Sequence, residues 1–293
     1  MTPLDYDFLR KGLKQHSGLV LAADKHYLVE SRLLPLARNA GFSNLAELVE
    51  ALRTRRDAAL MACVVEAMTT SESSFFRDRT PFEHLRRTII PALTTSHRRG
   101  VIRIWCAAAA TGQEPYSVAI CLKEMGRQIA GWQIEILATD LSNDVLKRAR
   151  AGMYSQFEVQ RGLPVKLLIK YFTQVGERWQ VAPEIRAMVK FRQFNLLADF
   201  ASLGTFDVVF CRNVLIYFAR RRKPTCSIGW RRQYRAMVIS CSAAETAIGL
   251  TDAFKMVIDK PGLYMPHTAR ARVPAQQTPK YPRPRLVAIS GGR

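Results

Sequence analysis

The chain has 293 residues, 48% hydrophobic and 23% charged, a balance that excludes a disordered chain and suits one large domain or two modest ones. No apolar run approaches the ~18 residues of a membrane span, and the opening stretch MTPLDYDFLRKG has no apolar signal core, so neither membrane insertion nor secretion is expected. The formal net charge is +20, but it is concentrated: residues 219–242 carry seven Lys/Arg and 270–293 carry six, with no acid in either segment. No basic stripe interleaved with aromatics accompanies these charges, so direct nucleic-acid binding is not expected, and an acidic protein partner fits better. Six cysteines form no CxxC pair and read as the free thiols of a cytoplasmic protein, without a disulfide frame or a metal site.

Residues 1–68 read as a small helical module. Leu4, Phe8 and Leu13, then Tyr27, Leu28, Leu33, Leu34 and Leu36, fall at helical spacing, and Gly41-Phe42-Ser43 breaks the pattern. Ser43 or Asn44 can cap a helix through Leu45, Leu48, Val49 and Leu52, and Leu60 to Met68 carries a further apolar stripe. Residues 69–100 form a connector with one helix around Phe82 to Leu93. From Val101 the pattern changes to strands alternating with helices: VIRIWCAA, a small-residue turn opening QEPYSVAICLKEM, the strand IEILATD, the helix LSNDVLKRARA stopped by Gly152, and the strand FDVVFCRNVLIYF. That alternation predicts a parallel α/β sheet covered on both faces over 101–268, with FTQVGERWQVAPEIRAMVKF as a short hairpin and 269–293 as a loose basic tail.

The turn Cys106 to Gly112 is built of small residues at the carboxyl end of a strand, where open α/β sheets bind ligands. Asp140 ends the next strand, where such folds place a carboxylate against a ribose hydroxyl. GxGxxG and a Walker lysine are both absent. The stretches TTSESSFFRD (69–78), WCAAAATGQEPYSVAI (105–120), LATDLSNDVLKRARAGMY (137–154), FNLL (194–197), FDVVFCRNVLIYF (206–218) and AAETAIGLTDAFK (243–255) occur in the order found in the CheR family of S-adenosylmethionine-dependent chemotaxis-receptor methyltransferases. The chain resembles that family over about residues 2–266, helical segment included.

The resemblance implies a Rossmann-like methyltransferase domain behind a small all-helical domain. It also implies methyl transfer from S-adenosylmethionine, leaving S-adenosylhomocysteine, to receptor glutamates, with no metal. By position, Ser71, Ser73 and Arg77 would contact the cofactor from the connector. Glu114 matches the acid of the small-residue motif and Asp140 the ribose acid. Asn195, Leu196, Cys211, Arg212, Asn213 and Val214 would line the adenosine and methionine ends, and Arg77, Arg212 and Tyr217 would face the methyl group and the substrate. The partners implied are methyl-accepting receptors, met in the cytoplasm by a monomer through the helical module. A non-catalytic protein that binds the same nucleoside is the alternative reading, favoured by Ser71, where the family carries Asn, and by the departure of residues 219–242 from the family's pattern.

Residues 219–242, ARRRKPTCSIGWRRQYRAMVISCS, depart from the family's helix and strand, and the match resumes at Ala243. Permitted codons for Pro224 to Ser242 read in another frame give ADVLDRLATTIPGDGYLVLG, so two compensating frameshifts would account for the segment. A strand with seven cations cannot be buried cheaply, which leaves Met237, Val238 and Ile239 as a short substitute and predicts a destabilised or inactive sheet.

Overall fold

The computed structural model describes residues 1–55, 57–69, 72–96, 100–214, 216, 234–240 and 254–266. Ser71 and Tyr217, most of 219–242 and the tail 269–293 lie outside the described residues.

The helical module contains α1 (Pro3–His16), α2 (His26–Asn39), α3 (Leu45–Arg55) and α4 (Ala58–Met68). Its core is an apolar cluster that includes Leu9, Leu13, Val29, Leu33, Leu48 and Val64, all fully buried. Asn44 rather than Ser43 caps α3: its side-chain oxygen accepts from the Glu47 amide at 3.0 Å, while the Ser43 amide donates to the Glu47 carboxylate at 2.8 Å. The connector helix is α5 (Thr80–His84), a π-helical turn (Leu85–Ile89) and α6 (Ile90–Ser96).

The second domain runs through β1 (Val101–Ala107), α7 (Gln113–Met125), β2 (Gln133–Asp140), α8 (Asn143–Ala151), β3 (Met153–Ser155), α9 (Gln156–Gln160), α10 (Val165–Tyr171), β4 (Phe172–Val175), β5 (Arg178–Val181), α11 (Pro183–Arg186), β6 (Val189–Gln193), β7 (Phe206–Cys211), β8 (Tyr234–Ser240), β9 (Phe254–Met256) and β10 (Leu263–Pro266). The main sheet has the order β6-β2-β1-β7-β8-β10-β9. The first five of these strands are parallel, and β10 and β9 close the edge antiparallel. The sheet is therefore mixed, not purely parallel. The tight turn between β9 and β10, with Asp259 at φ 60° and Gly262 at φ 81°, returns the chain directly and leaves no room for a crossover helix.

Successive residues of β1 feed opposite faces. Ile102, Ile104 and Cys106 enter the larger core with α7, whereas Trp105 and Ala107 enter a smaller one with Phe194, Phe200 and Phe206. Every residue of α7 from Gln113 to Leu122 is buried, the condition of a helix covered on all sides.

Three further expectations are corrected. Of FTQVGERWQVAPEIRAMVKF only FTQVGERWQV folds as a hairpin, β4 with β5; the rest forms α11 and the main-sheet strand β6, and Met153–Ser155 joins the hairpin to give a separate three-stranded antiparallel sheet β3-β5-β4. Beyond β7, the substitute strand is longer than Met237–Ile239. β8 spans Tyr234–Ser240 and pairs parallel with β7, Val208 beside Val238 and Val209 beside Ile239, past an irregularity at Phe206/Val208. Of the seven cations of 219–242 only Arg235 falls within it. The strand FDVVFCRNVLIYF ends at Cys211, where the backbone leaves the ladder and Asn213 adopts φ 56°.

Candidate functional site

The order of the main sheet reverses at β1: the chain runs outward through β2 and β6, then returns to β7 on the other side. A crevice opens at the carboxyl ends of strands flanking such a switch point. Here it is a cleft of about 1010 Å³ including its open mouth, lined from β1 by Ala108 and Ala110, from β2 by Asp140 and Leu141, from β6 by Phe194, Asn195 and Leu196, and from β7 by Arg212, Asn213 and Val214. The connector adds Thr69, Glu72, Ser73, Ser74 and Arg77, and the helical module adds Ser17 and Leu19.

The turn after β1 is held open by its backbone. Ala108 and Ala110 have φ 57° and 48°, a region that costs an L-residue roughly 1–2 kcal/mol, and they present main chain rather than side chain to the cleft. The Ala109 amide donates to the Thr139 carbonyl at 2.9 Å and the Gly112 amide to the Ala109 carbonyl at 3.0 Å. Gly112 has φ 96°, and a Cβ there would lie 3.0 Å from both Ala149 Cβ and the Tyr154 hydroxyl, so only glycine fits. The Tyr154 hydroxyl in turn donates to the Thr111 carbonyl at 2.7 Å.

Asp140 closes this turn. One carboxylate oxygen accepts from the Ala110 amide at 2.9 Å and the other from the Ser142 amide at 3.0 Å. The Leu141 amide also favours the carboxylate, and of its roughly four lone-pair sites this leaves acceptor capacity for a ligand hydroxyl. Burial pushes the Asp140 carboxyl above its ordinary value, opposed by those amide bonds.

Across the cleft, Arg212 is 5% exposed. Its Nη1 donates to Glu114 Oε2 at 2.8 Å, and its Nη2 donates to Asp78 Oδ2 and the Arg77 carbonyl, both at 2.7 Å. Burial pushes the Glu114 carboxyl up, and the Arg212 guanidinium opposes it. Arg77 differs: its Nη1 donates to the Glu72 carbonyl at 3.3 Å, and among the described residues it makes no ion pair. The Glu72 carboxylate is taken by Arg161 at 2.6 Å, which pins the connector over the cleft.

Of the expected residues, the structure brings Ser73, Arg77, Glu114, Asp140, Asn195, Leu196, Arg212, Asn213 and Val214 together; Ser71 and Tyr217 lie outside the described residues. Cys211 does not join them. Its side chain is fully buried in the smaller core with Trp105 and Ala107, the core whose members Phe194, Leu196 and Val214 do reach the lining. Arg212 lines the cleft with Nη1 and Nη2 held by Glu114, Asp78 and the Arg77 carbonyl, while its buried Nε has no partner among the described residues. Sequence reasoning missed Asp78, Ser17 and Leu19; the last two reach the site only because the helical module packs against the sheet.

A backbone cradle, a ribose-type acid with free lone pairs and an apolar wall at Phe194 and Leu196 fit a nucleoside cofactor such as S-adenosylmethionine. Comparison with known proteins agrees. Residues 71–236 match the CheR methyltransferase, SAM binding domain, and residues 4–69 the CheR methyltransferase, all-alpha domain. The chain is 39% identical over 265 residues to chemotaxis protein methyltransferase Cher2 of Pseudomonas putida, covering 89% of this chain and 96% of that protein. It is 41% identical over 266 residues to chemotaxis protein methyltransferase 1 of Pseudomonas aeruginosa, covering 88% and 96%.

Proposed function

The chain belongs to the CheR methyltransferase family, and on that premise we propose that it methylates glutamate side chains of chemotaxis receptors in the cytoplasm, forming glutamyl methyl esters. The observation that carries this reading is the cleft at the switch point, where Asp140, the Ala108–Ala110 backbone and Arg77 converge.

When bound, S-adenosylmethionine supplies a methyl group already activated on a sulfonium. A glutamate with a pKa of about 4.3 is ionised at neutral pH, so the protein need not provide a general base. Its task is to hold a carboxylate oxygen in line with the methyl carbon, and orientation of this kind supplies roughly 7–11 kcal/mol at best. Asp140 would hold the ribose hydroxyls, the turn after β1 would receive the methionine end, and Phe194 and Leu196 would face the adenine.

Arg77 is the cation suited to the incoming carboxylate, because among the described residues no acid holds its guanidinium. Arg212 acts as a positioning residue: neutralised by Glu114 and Asp78, it ties the connector to the end of β7 through the Arg77 carbonyl. The helical module, with nine basic and eight acidic residues in 1–68, is the candidate receptor-docking surface.

The test is transfer of labelled methyl from S-adenosylmethionine to the helical cytoplasmic region of a receptor, followed by mild alkali. Label released as methanol identifies a carboxyl methyl ester. Label that resists alkali, or no transfer, contradicts the proposal.

A further inference from the structure

Resting on the reading that the cleft binds S-adenosylmethionine, we propose that Glu66 of the helical module is a positioning residue for the cofactor: through Ser142 it fixes the turn that aims Asp140 into the cleft. Glu66 lies on α4, 76 residues before Ser142. The Ser142 hydroxyl donates to Glu66 Oε1, and the Asp144 amide donates to the same oxygen at 3.0 Å. The Ser142 amide donates to Asp140 Oδ1, whose second oxygen is held by the Ala110 amide. A continuous chain of hydrogen bonds thus runs from the helical module through Ser142 and Asp140 to the turn after β1.

Glu66 does more than take a free first-turn amide of α8, that of Asp144. The Ser142 hydroxyl already accepts from the Val145 amide at 3.2 Å, which is the ordinary N-cap bond of α8. Glu66 is an additional acceptor that fixes the hydroxyl's proton and the Ser142 backbone together. Leu141, between the two residues, packs against the helical module's apolar cluster, and Asn195 on the cleft wall donates from Nδ2 to the His16 carbonyl at 2.8 Å. Three side chains on the cleft side of the sheet are therefore oriented by the helical module. The chain of bonds needs an acceptor oxygen at position 66 rather than a charge, since a second carboxylate near Asp140 works against its ionisation.

The test is calorimetric titration of the full chain with S-adenosylhomocysteine, comparing wild type, Glu66→Ala, Glu66→Gln and Ser142→Ala at a temperature where circular dichroism shows each folded. Glu66→Ala and Ser142→Ala are expected to weaken binding about tenfold, the scale on which outer hydrogen-bond partners of a site act. Glu66→Gln, which keeps Oε1, recovers most of the affinity. In steady-state assays Glu66→Ala raises the KM for S-adenosylmethionine more than it lowers kcat. Wild-type affinity in folded Glu66→Ala, or in Ser142→Ala if the first variant does not fold, overturns the proposal, and so does a Glu66→Gln as weak as Glu66→Ala. Failure of the wild type itself to bind removes the reading of the cleft, and the role of Glu66 with it.

Discussion

Arg212 and Glu114, 98 positions apart in sequence, meet across the floor of the cleft at 2.8 Å, with both side chains withdrawn from water. A buried charge is tolerated only with its partner, and removing one member costs about 3–5 kcal/mol because the other is left behind. Glu114→Ala is expected to lower unfolding free energy by about 3 kcal/mol in urea titrations, the low end, since Asp78 still pairs with Arg212. The double variant Glu114→Leu/Arg212→Met is expected to be more stable than Glu114→Ala.

Gly162 governs the connector's approach. It has φ 95°, and a Cβ there would sit 2.2 Å from the Phe75 carbonyl oxygen, two residues before Arg77. Gly162→Ala forces the connector away and strains a left-handed backbone, with a loss of about 2–4 kcal/mol and weaker binding of S-adenosylhomocysteine. Thermal unfolding with and without the ligand reads both effects.

Acidification tests Asp140. Its carboxyl is raised by burial above the ordinary 3.8, and hydroxyl binding requires the carboxylate. Affinity for S-adenosylhomocysteine is full above the raised pKa and falls as pH drops through it, at higher pH than an ordinary aspartate would give. Stability takes the opposite sign. The folded chain holds this proton more tightly than the unfolded one, so Asp140 costs stability as pH rises from 3.8 through its folded value. Calorimetry across a pH series separates the two.

Arg77 separates binding from transfer. Arg77→Ala is expected to retain S-adenosylhomocysteine binding within a few-fold while kcat/KM for receptor falls about 100-fold, as misorientation of one reactant does. Equal losses in both would place Arg77 chiefly on the cofactor.

The local signals in the sequence reach the site unevenly. Helical spacing marks α1 to α4, and a polar residue before Leu45 marks the cap that Asn44 supplies. Small residues after β1 and the acid ending β2 point to the cleft because both signals lie within a few residues of a strand end. Cys211 lies in β7, which is buried on both faces, so alternation gives no parity that would separate a lining residue from a core one. β3, at three residues, is too short to carry any period. Glu66, Ser17 and Leu19 lie more than a hundred residues or a whole module from parts of the cleft they serve, and no local pattern announces contacts made by packing two domains. The edge strands are a related case, since β9 and β10 turn back antiparallel through Asp259 and Gly262, a reversal that the run of strand and helix signals before them does not foreshadow.

The most direct test is peptide mapping by mass spectrometry of a receptor's helical cytoplasmic region after incubation with the full chain and S-adenosylmethionine. Single added methyl groups on glutamate-containing peptides, lost after mild alkali and strongly reduced with Arg77→Ala, are the predicted result. Unmodified glutamates, in a preparation that binds S-adenosylhomocysteine by calorimetry, would contradict the assignment of receptor glutamate as substrate.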